Sequence, residues 1–311
     1  MALKADYYAF LLVRICLVQH PFILTFSVCM RLGSSGLTIS RIILGCMSYG
    51  SAEYQPWILP EEEGISHIKA AYDAGINTFD TANAYSNGLS LPTSEVILGK
   101  AIKQFNLPRD TIVIMTKWLP GMDLDGMGYV NQYGLGRKHI FDSVKYSLER
   151  LQLDYIDVLQ CHRFDNDTPI SETMQALHDV VKAGYVRYIG MSSCFAYQYY
   201  AIENKLTPFI LMQNHHSLIY HNWMPMYDLA GGWFETIMNR VEELATKKEI
   251  SMAQIALAWI MNRDGVSAPI VGTTSLKNLY DLLGAIHVKL TAEEMAYLEE
   301  PYKPQAIIGH F

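Results

Sequence analysis

The sequence predicts an α/β protein of the (β/α)8 TIM barrel class, with seven recognisable strands. Short apolar runs alternate with amphipathic helical segments from about residue 40 onward, which is typical of parallel strands joined by right-handed crossovers. Reactive side chains stand at the ends of several runs, where a barrel builds its site. A doubly wound sheet is the alternative, but residues 48–53 (SYGSAE), after the first strand, lack the G-x-G-x-x-G motif of dinucleotide-binding folds.

Each predicted strand is a short apolar run, and each predicted helix carries apolar residues three or four positions apart. The strands are residues 42–47, 78–81, 112–118, 156–162, 186–191, 209–213 and 268–273. The helices are residues 61–74, 94–105, 138–151, 171–183, 197–206, 234–247, 252–261, 276–285 and 291–299. Ser94 is the expected N-cap of the second helix, and Thr291 with Glu294 forms a capping box at the last one.

The chain after the sixth strand is too short for a complete barrel. Residues 215–233 fill the space before the next helix, and a crossover alone takes about a dozen residues or more. We therefore expect an incomplete barrel of the TIM type in which one strand is absent. Such a barrel has two open sheet edges and exposes apolar core side chains.

Composition excludes several classes of protein. The 311 residues carry a net charge of −7 with both signs intermixed, so no basic surface for nucleic acid is expected. No uninterrupted apolar run reaches the ~18 residues of a membrane helix. The five cysteines show no metal-ligand spacing, which predicts reduced thiols, no metal site and a cytoplasmic protein. Residues 1–30 are an atypical apolar leader, and residues 31–311 are expected to form one domain.

Four side chains at the predicted strand ends form a candidate proton-donating site: Asp80, Tyr85, Lys117 and His162. Tyr85 is the candidate acid, because the ammonium of Lys117 would lower a phenol pKa that is ordinarily ~10. Asp80 would keep Lys117 charged and fixed in place. His162 could donate a hydrogen bond to a carbonyl oxygen. Each residue alone has an ordinary structural interpretation, but their joint position at one face of a barrel favours a catalytic one.

These residues and the stretches around them resemble the aldo-keto reductases. The similar stretches are NTFDTANAYSNG, IVIMTKW, LERLQLDYIDVLQCHRFD, VRYIGMSS and MAQIALAWIMNRDGVSAPIVGT. The most similar branch is the fungal aryl-alcohol dehydrogenase type, which includes reductases of secondary metabolism. In this resemblance Asp80, Tyr85, Lys117 and His162 match the catalytic tetrad.

The resemblance implies an NADP(H)-dependent barrel that transfers a hydride to a small-molecule aldehyde or ketone. Ser192, Ser193 and Gln213 match the positions that hold the nicotinamide carboxamide. Gly272, Thr273 and Thr274 match the loop after the last strand that meets the adenosine phosphate, and Lys277 nearby could meet the 2′-phosphate. A helix N-terminus after that strand suits a phosphate site.

The chain departs from the family around residues 222–233, where members carry a strand and a loop that clamp the cofactor. Ser275 also stands where a basic residue is usual, with Lys277 nearby. Two functions follow as expectations. The first is an NADPH-dependent reductase for which Tyr49, Trp118 and Tyr129 could line the mouth. The alternative is a catalytically impaired, nucleotide-binding or regulatory member of the same family.

Overall fold

An antiparallel hairpin precedes the main sheet in the chain. A computed structural model describes residues 29–53, 55–85, 94–118, 130–192, 196–218 and 232–303. Strand β1 (Cys29–Arg31) pairs with β2 (Thr38–Ser40), with Cys29 opposite Ser40. The sequence did not predict this hairpin, and its first two residues fall in the segment that had been assigned to the leader.

Seven parallel strands form the main sheet, in agreement with the number and type predicted from the sequence. They are β3 (Ile43–Gly45), β4 (Thr78–Asp80), β5 (Val113–Trp118), β6 (Ile156–Cys161), β7 (Val186–Met191), β8 (Phe209–Met212) and β9 (Ile270–Val271). Their spatial order is β8-β7-β6-β5-β4-β3-β9. All six pairings are parallel, so the carboxyl ends of the strands meet at one face.

Helices follow the strands and cover the outside of the curled sheet. They are α1 (Glu61–Asp73), α2 (Ser94–Gln104), α3 (Arg137–Leu151), α4 (Ile170–Lys182), α5 (Ala196–Glu203), α6 (Gly232–Lys248), α7 (Met252–Met261), α8 (Leu276–Gly284) and α9 (Ala292–Glu299). The capping box of Thr291 and Glu294 is confirmed. Within the described ranges, no helix is long and apolar enough to cross a membrane.

Ser94 does not play the capping role that its sequence position suggested. Helix α2 begins at Ser94 itself, and the Ser94 hydroxyl donates to the carbonyl oxygen of Cys46 at 2.7 Å. The same hydroxyl lies 2.8 Å from Oγ1 of Thr81. The side chain therefore joins α2 to the residues that follow β3 and β4 instead of capping the N-terminus of its own helix.

The core consists of separate apolar layers. The largest lies between the sheet and the helices α1 to α5, and a second fills the inside of the curled sheet around Ile43, Met115 and Val158. Helices α6, α7 and α9 build a third cluster around Trp259, which is fully buried. Among the described residues, α6 and α7 thus follow β8 without a strand between them, and the next strand of the sheet is β9.

Among the described residues the sheet is open between β8 and β9, as the short sequence after the sixth strand predicted. In the part of the chain that the structure describes, no strand pairs with the outer edge of either one. The hairpin turn lies at this opening. The Gly33 N–H donates to Oγ of Ser267 at 3.3 Å, and a Cβ at Gly33 would collide with the carbonyl oxygen of Ile210 in β8. The turn therefore touches chain segments on both sides of the opening.

Candidate active site

Parallel strands bring three of the four predicted catalytic side chains to one face of the sheet. Asp80 ends β4, Lys117 is the fifth residue of β5, and His162 follows β6 directly. Tyr85 lies in the loop after β4. The Nζ atom of Lys117 lies 2.5 Å from Oδ2 of Asp80, and both side chains are only 2% exposed. The structure therefore gathers the four residues as the sequence predicted.

The ammonium of Lys117 lies between a carboxylate, a backbone carbonyl and a phenol ring. It donates to Oδ2 of Asp80 at 2.5 Å and to the carbonyl oxygen of Thr81 at 3.0 Å. Its Nζ atom also lies 5.1 Å from the centroid of the Tyr85 ring. The positive charge is therefore close to the phenol, where it would stabilise a phenolate.

Burial and ion pairing act in opposite directions on the pKa values of Lys117 and Asp80. Burial lowers the pKa of Lys117, but the charges of Asp80 and Tyr85 and the hydrogen bond to Asp80 raise it more, so the net direction is upward. Burial raises the pKa of Asp80, and Lys117 offsets this only in part, so the net direction is also upward. A buried ion pair of this geometry is retained only when both partners are well bonded.

The pKa of Tyr85 differs from the expectation. Burial raises the pKa of the phenol, and the opposing effect of Lys117 offsets this only in part, so the net direction is upward. The sequence argument considered the neighbouring ammonium and left out the desolvation of the phenolate. Tyr85 consequently keeps its proton at neutral pH, which is the state that a proton donor requires.

His162 faces Tyr85 edge to face, with ring centroids 6.2 Å apart and an angle of 89° between the planes. Burial, assisted by the charges of Lys117 and Arg163, lowers the pKa of His162 to about 3. The imidazole is therefore neutral at physiological pH and has one N–H to donate. Its Nδ1 atom is buried and finds no hydrogen-bond partner among the residues that the structure describes.

A further residue, Gln160, joins the site and was missed in the sequence. Its Nε2 atom donates to Oδ1 of Asp80 at 3.3 Å, and the side chain is fully buried. Gln160 stands two positions before His162, and residues two apart in a strand face the same side. Two features of the sequence could have indicated Gln160: its spacing from His162, and its polar side chain in an otherwise apolar run, which needs a buried hydrogen-bond partner.

Two of the residues assigned to the nicotinamide carboxamide lie together at the ends of β7 and β8. The Ser192 hydroxyl donates to the backbone oxygen of Gln213 at 2.9 Å, and the Gln213 N–H donates to the oxygen of Met191 at 2.8 Å. Ser193, the third residue of this group, lies outside the described residues.

The amide of Gln213 has a free acceptor that fits a carboxamide. Its Oε1 atom is buried and has no hydrogen-bond partner within the described residues. A carboxamide NH2 group is a donor that such an oxygen can accept from. The residues present at this end of the site therefore fit a nicotinamide.

The loop after β9 presents the residues assigned to the phosphates. Gly272, Thr273 and Thr274 lead into α8, where Ser275 is the N-cap and accepts from the N–H of Asn278. Thr273 Oγ1 accepts from the Ser275 N–H at 3.2 Å, which fixes the loop. Thr274 and Lys277 are exposed and accessible to a ligand. A helix N-terminus of this kind attracts negative charge.

The aromatic residues expected at the mouth are core residues instead. Tyr49 is fully buried, and its ring packs edge to face on His67 at 5.9 Å between centroids. Trp118 is also buried, with its Nε1 donating to Nε2 of His139 at 3.3 Å. Both expectations were wrong, because the apolar residues next to the strand ends turn toward the helix layer. Tyr129, the third of them, lies outside the described residues.

Other exposed aromatic residues follow the carboxyl ends of the strands. They are Trp57 after β3, Tyr133 after β5 and Phe164 after β6. Asp165 ties two of these loops together, since its Oδ2 accepts from the Leu135 N–H at 2.5 Å and its Oδ1 from the Asp167 N–H at 2.8 Å. The face that carries the site is thus bordered by loops that a carboxylate holds in place.

Comparison with known proteins supports one family. The model of the aldo/keto reductase family matches residues 41–229 and 226–303. Versiconal hemiacetal acetate reductase of Aspergillus parasiticus is 42% identical over 340 residues, covering 89% of this chain and 97% of the relative. A Schizosaccharomyces pombe protein that bears an aryl-alcohol dehydrogenase name is 41% identical, with 89% of this chain and 96% of the relative covered.

The alignments also agree with a shortened barrel. An alignment of 340 residues that uses 89% of a 311-residue chain contains positions that only the relative fills. A third relative, an aldo-keto reductase of Alternaria alternata, shows the same feature, with 39% identity over 346 residues and 90% of this chain covered. These relatives therefore possess segments with no counterpart here.

Proposed function

Because the chain belongs to the aldo/keto reductase family, we propose that it is a cytoplasmic, NADPH-dependent oxidoreductase that reduces an aryl or secondary-metabolite aldehyde or ketone to an alcohol. The observation that carries this proposal is the buried Lys117–Asp80 ion pair at 2.5 Å, with the ring of Tyr85 5.1 Å from the same ammonium. This arrangement suits a reaction in which an oxygen atom must gain a proton as its carbon gains a hydride.

Each residue of the site has a distinct part in the proposed reaction. NADPH, when bound, supplies the hydride to the carbonyl carbon. Tyr85 transfers its phenolic proton to the carbonyl oxygen, and Lys117 stabilises the phenolate that remains. Asp80 holds the ammonium in place at 2.5 Å. His162 is neutral and donates a hydrogen bond to the carbonyl oxygen, which orients the substrate.

The cofactor would lie across the carboxyl ends of the strands, from Gln213 to the loop after β9. Ser192, Ser193 and Gln213 would hold the carboxamide, with the unpaired Oε1 of Gln213 as acceptor. Gly272, Thr273 and Thr274 would meet the phosphates at the start of α8. The exposed ammonium of Lys277 would pair with the 2′-phosphate, and this contact supports NADPH over NADH.

A flat, aromatic or otherwise apolar carbonyl compound is the substrate class that we propose. Support comes from the names of the relatives, which include a versiconal hemiacetal acetate reductase and a putative aryl-alcohol dehydrogenase. The exposed rings of Trp57, Tyr133 and Phe164 on the loops of the active face provide apolar contact area.

The test is NADPH oxidation followed at 340 nm with a panel of aromatic aldehydes and ketones, for the protein and for Tyr85→Phe. We expect turnover that the substitution reduces by about 10²-fold or more, because the proton donor is removed. NADPH binding, measured by quenching of protein fluorescence, should be equal in the two proteins. Binding without turnover in the unsubstituted protein would instead support the nucleotide-binding, regulatory alternative.

A further inference from the structure

We propose that Gln160 is a positioning residue that holds the Asp80 carboxylate in the orientation in which it binds Lys117, and that it does so at the expense of fold stability. This inference rests on the proposed function, since its effect on rate presupposes a reaction. It adds to the tetrad a residue that acts on Tyr85 through Asp80 and Lys117.

The strand register places Gln160 beside the ion pair. Gln160 of β6 is the Cα partner of Lys117 in β5, so their side chains emerge next to each other on the inside of the curled sheet. Asp80 divides its two oxygens between these neighbours: Oδ2 accepts from Lys117 at 2.5 Å and Oδ1 from Gln160 at 3.3 Å. A carboxylate bonded at both oxygens cannot rotate about its Cβ–Cγ bond without losing a partner.

The chemistry of the partner fixes the orientation of the Gln160 amide. An ionised carboxylate only accepts, so the NH2 end of the amide must face Asp80 and Oε1 must point away. In that orientation Oε1 is buried with no hydrogen-bond partner in the described part of the chain. An unpaired buried carbonyl destabilises a fold, so the residue is poorly suited to a purely structural role.

The neighbouring strand leaves room for this amide. Gly190 of β7 is the Cα partner of Gln160, and a Cβ at Gly190 would lie 3.1 Å from Cγ of Gln160 and 2.9 Å from Leu211. A side chain at position 190 would therefore push Gln160 toward the ion pair. The glycine and the glutamine form one arrangement that keeps the amide beside Asp80.

The two contributions of Gln160 can be separated by Gln160→Met, which keeps the shape and removes both the donor and the unpaired oxygen. We expect kcat for carbonyl reduction to fall roughly tenfold, because Asp80 and Lys117 are less well held. The dissociation constant of NADPH should stay within about twofold. The melting temperature should stay the same or rise, since the loss of one hydrogen bond is offset by the removal of an unsatisfied oxygen.

A matched control exists on the surface. Gln175 donates to Oδ1 of Asp179 at 2.8 Å in an exposed position of α4, so Gln175→Met removes the same type of bond far from the site. We expect this variant to leave kcat unchanged. A Gln160→Met protein with unchanged kcat would overturn the proposal. So would a melting temperature that falls together with NADPH affinity, because that pattern indicates a structural role.

The positioning role has a second readout that does not depend on turnover. The Nζ protons of Lys117 are buried, so they are expected to exchange slowly with solvent and to give a proton–nitrogen NMR signal. The variant Lys117→Met identifies this signal, because the signal is lost in it. Gln160→Met should shift this signal or accelerate its exchange several-fold, whereas Gln175→Met should not. If the unsubstituted protein reduces no carbonyl compound, the proposed function fails. Separately, an unaltered Lys117 signal in Gln160→Met would overturn the positioning role of Gln160.

Discussion

Lys117 and Asp80 form an ion pair inside the sheet, with Nζ and Oδ2 2.5 Å apart and each side chain 2% exposed. Water is excluded from both charges, so each is compensated by the other and by a small number of hydrogen bonds. The carbonyl of Thr81 accepts a further hydrogen bond from the ammonium, and Gln160 donates one to the carboxylate. The catalytic chemistry and the stability of the sheet therefore depend on the same two residues.

Removal of the negative partner should be costly for the fold as well as for the reaction. Asp80→Asn leaves the Lys117 ammonium buried without a counter-charge, and breaking a buried pair costs about 3–5 kcal/mol of unfolding free energy. Denaturant unfolding measures this loss. The control is Asp142→Asn, which breaks the exposed Lys138–Asp142 pair of α3 and should change stability very little. Equal effects of the two substitutions would contradict the burial argument.

The imidazole of His162 should make stability depend on pH. Its pKa is about 3 in the fold and ordinarily about 6.5, so the unfolded chain binds the proton more readily. The contribution is fully present above about pH 6.5 and is lost as the pH falls from there toward 3, up to about 5 kcal/mol. Unfolding free energies of the protein and of His162→Gln, measured from pH 7 to pH 4, should show a difference that changes in this window. If the difference in unfolding free energy between the two proteins did not change with pH, the lowered pKa of His162 would be contradicted.

The open sheet should weaken cofactor binding relative to a complete family member. The family resemblance implies that other members clamp the cofactor with the region that departs here, and the sheet edges at β8 and β9 are unpaired within the described residues. A ligand at ten times its Kd stabilises a fold by about 1.4 kcal/mol, so weak binding predicts a small rise in melting temperature. Thermal shift with increasing NADPH, compared with versiconal hemiacetal acetate reductase under the same conditions, measures this. An equal or larger rise would refute weak binding.

The hairpin turn at the opening should tolerate no side chain. Gly33 has a φ of 57°, and a Cβ there would collide with the Ile210 carbonyl. Gly265 also has a positive φ, 81°, but has open space around its Cβ position. Gly33→Ala should therefore lower the unfolding free energy by about 1–3 kcal/mol more than Gly265→Ala, because only the first adds overpacking to backbone strain. Similar losses for both would show that the turn can move away from β8.

The strands and most helices could be predicted from the sequence because their signal is local. Residues 186–191 and 252–261 were predicted with the bounds that the structure shows, since each is an apolar segment between clear stop signals. The hairpin of β1 and β2 was missed, because Cys29 and Met30 of β1 had been assigned to the apolar leader and β2 was left without a partner strand.

The positions of the catalytic residues followed from the strand ends, but their electrostatics did not. The direction of the Tyr85 pKa depends on burial as well as on Lys117, and burial is a property of the folded chain. Tyr49 and Trp118 were placed at the mouth because they lie near strand ends, whereas their side chains pack on His67 and His139. The pKa of Tyr85 and the side-chain positions of Tyr49 and Trp118 depend on contacts between segments that are distant in the chain. A single sequence does not show such contacts.

Asp165 links the shapes of two loops that border the active face. Its carboxylate accepts from the backbone of Leu135, beyond β5, and from Asp167 and Thr168 in its own loop. Tyr133 stands just before Gly134, which is adjacent to this carboxylate, and Phe164 directly precedes Asp165. A change in one loop is therefore transmitted to the other, so the selectivity of the enzyme for its substrates would evolve through both loops together.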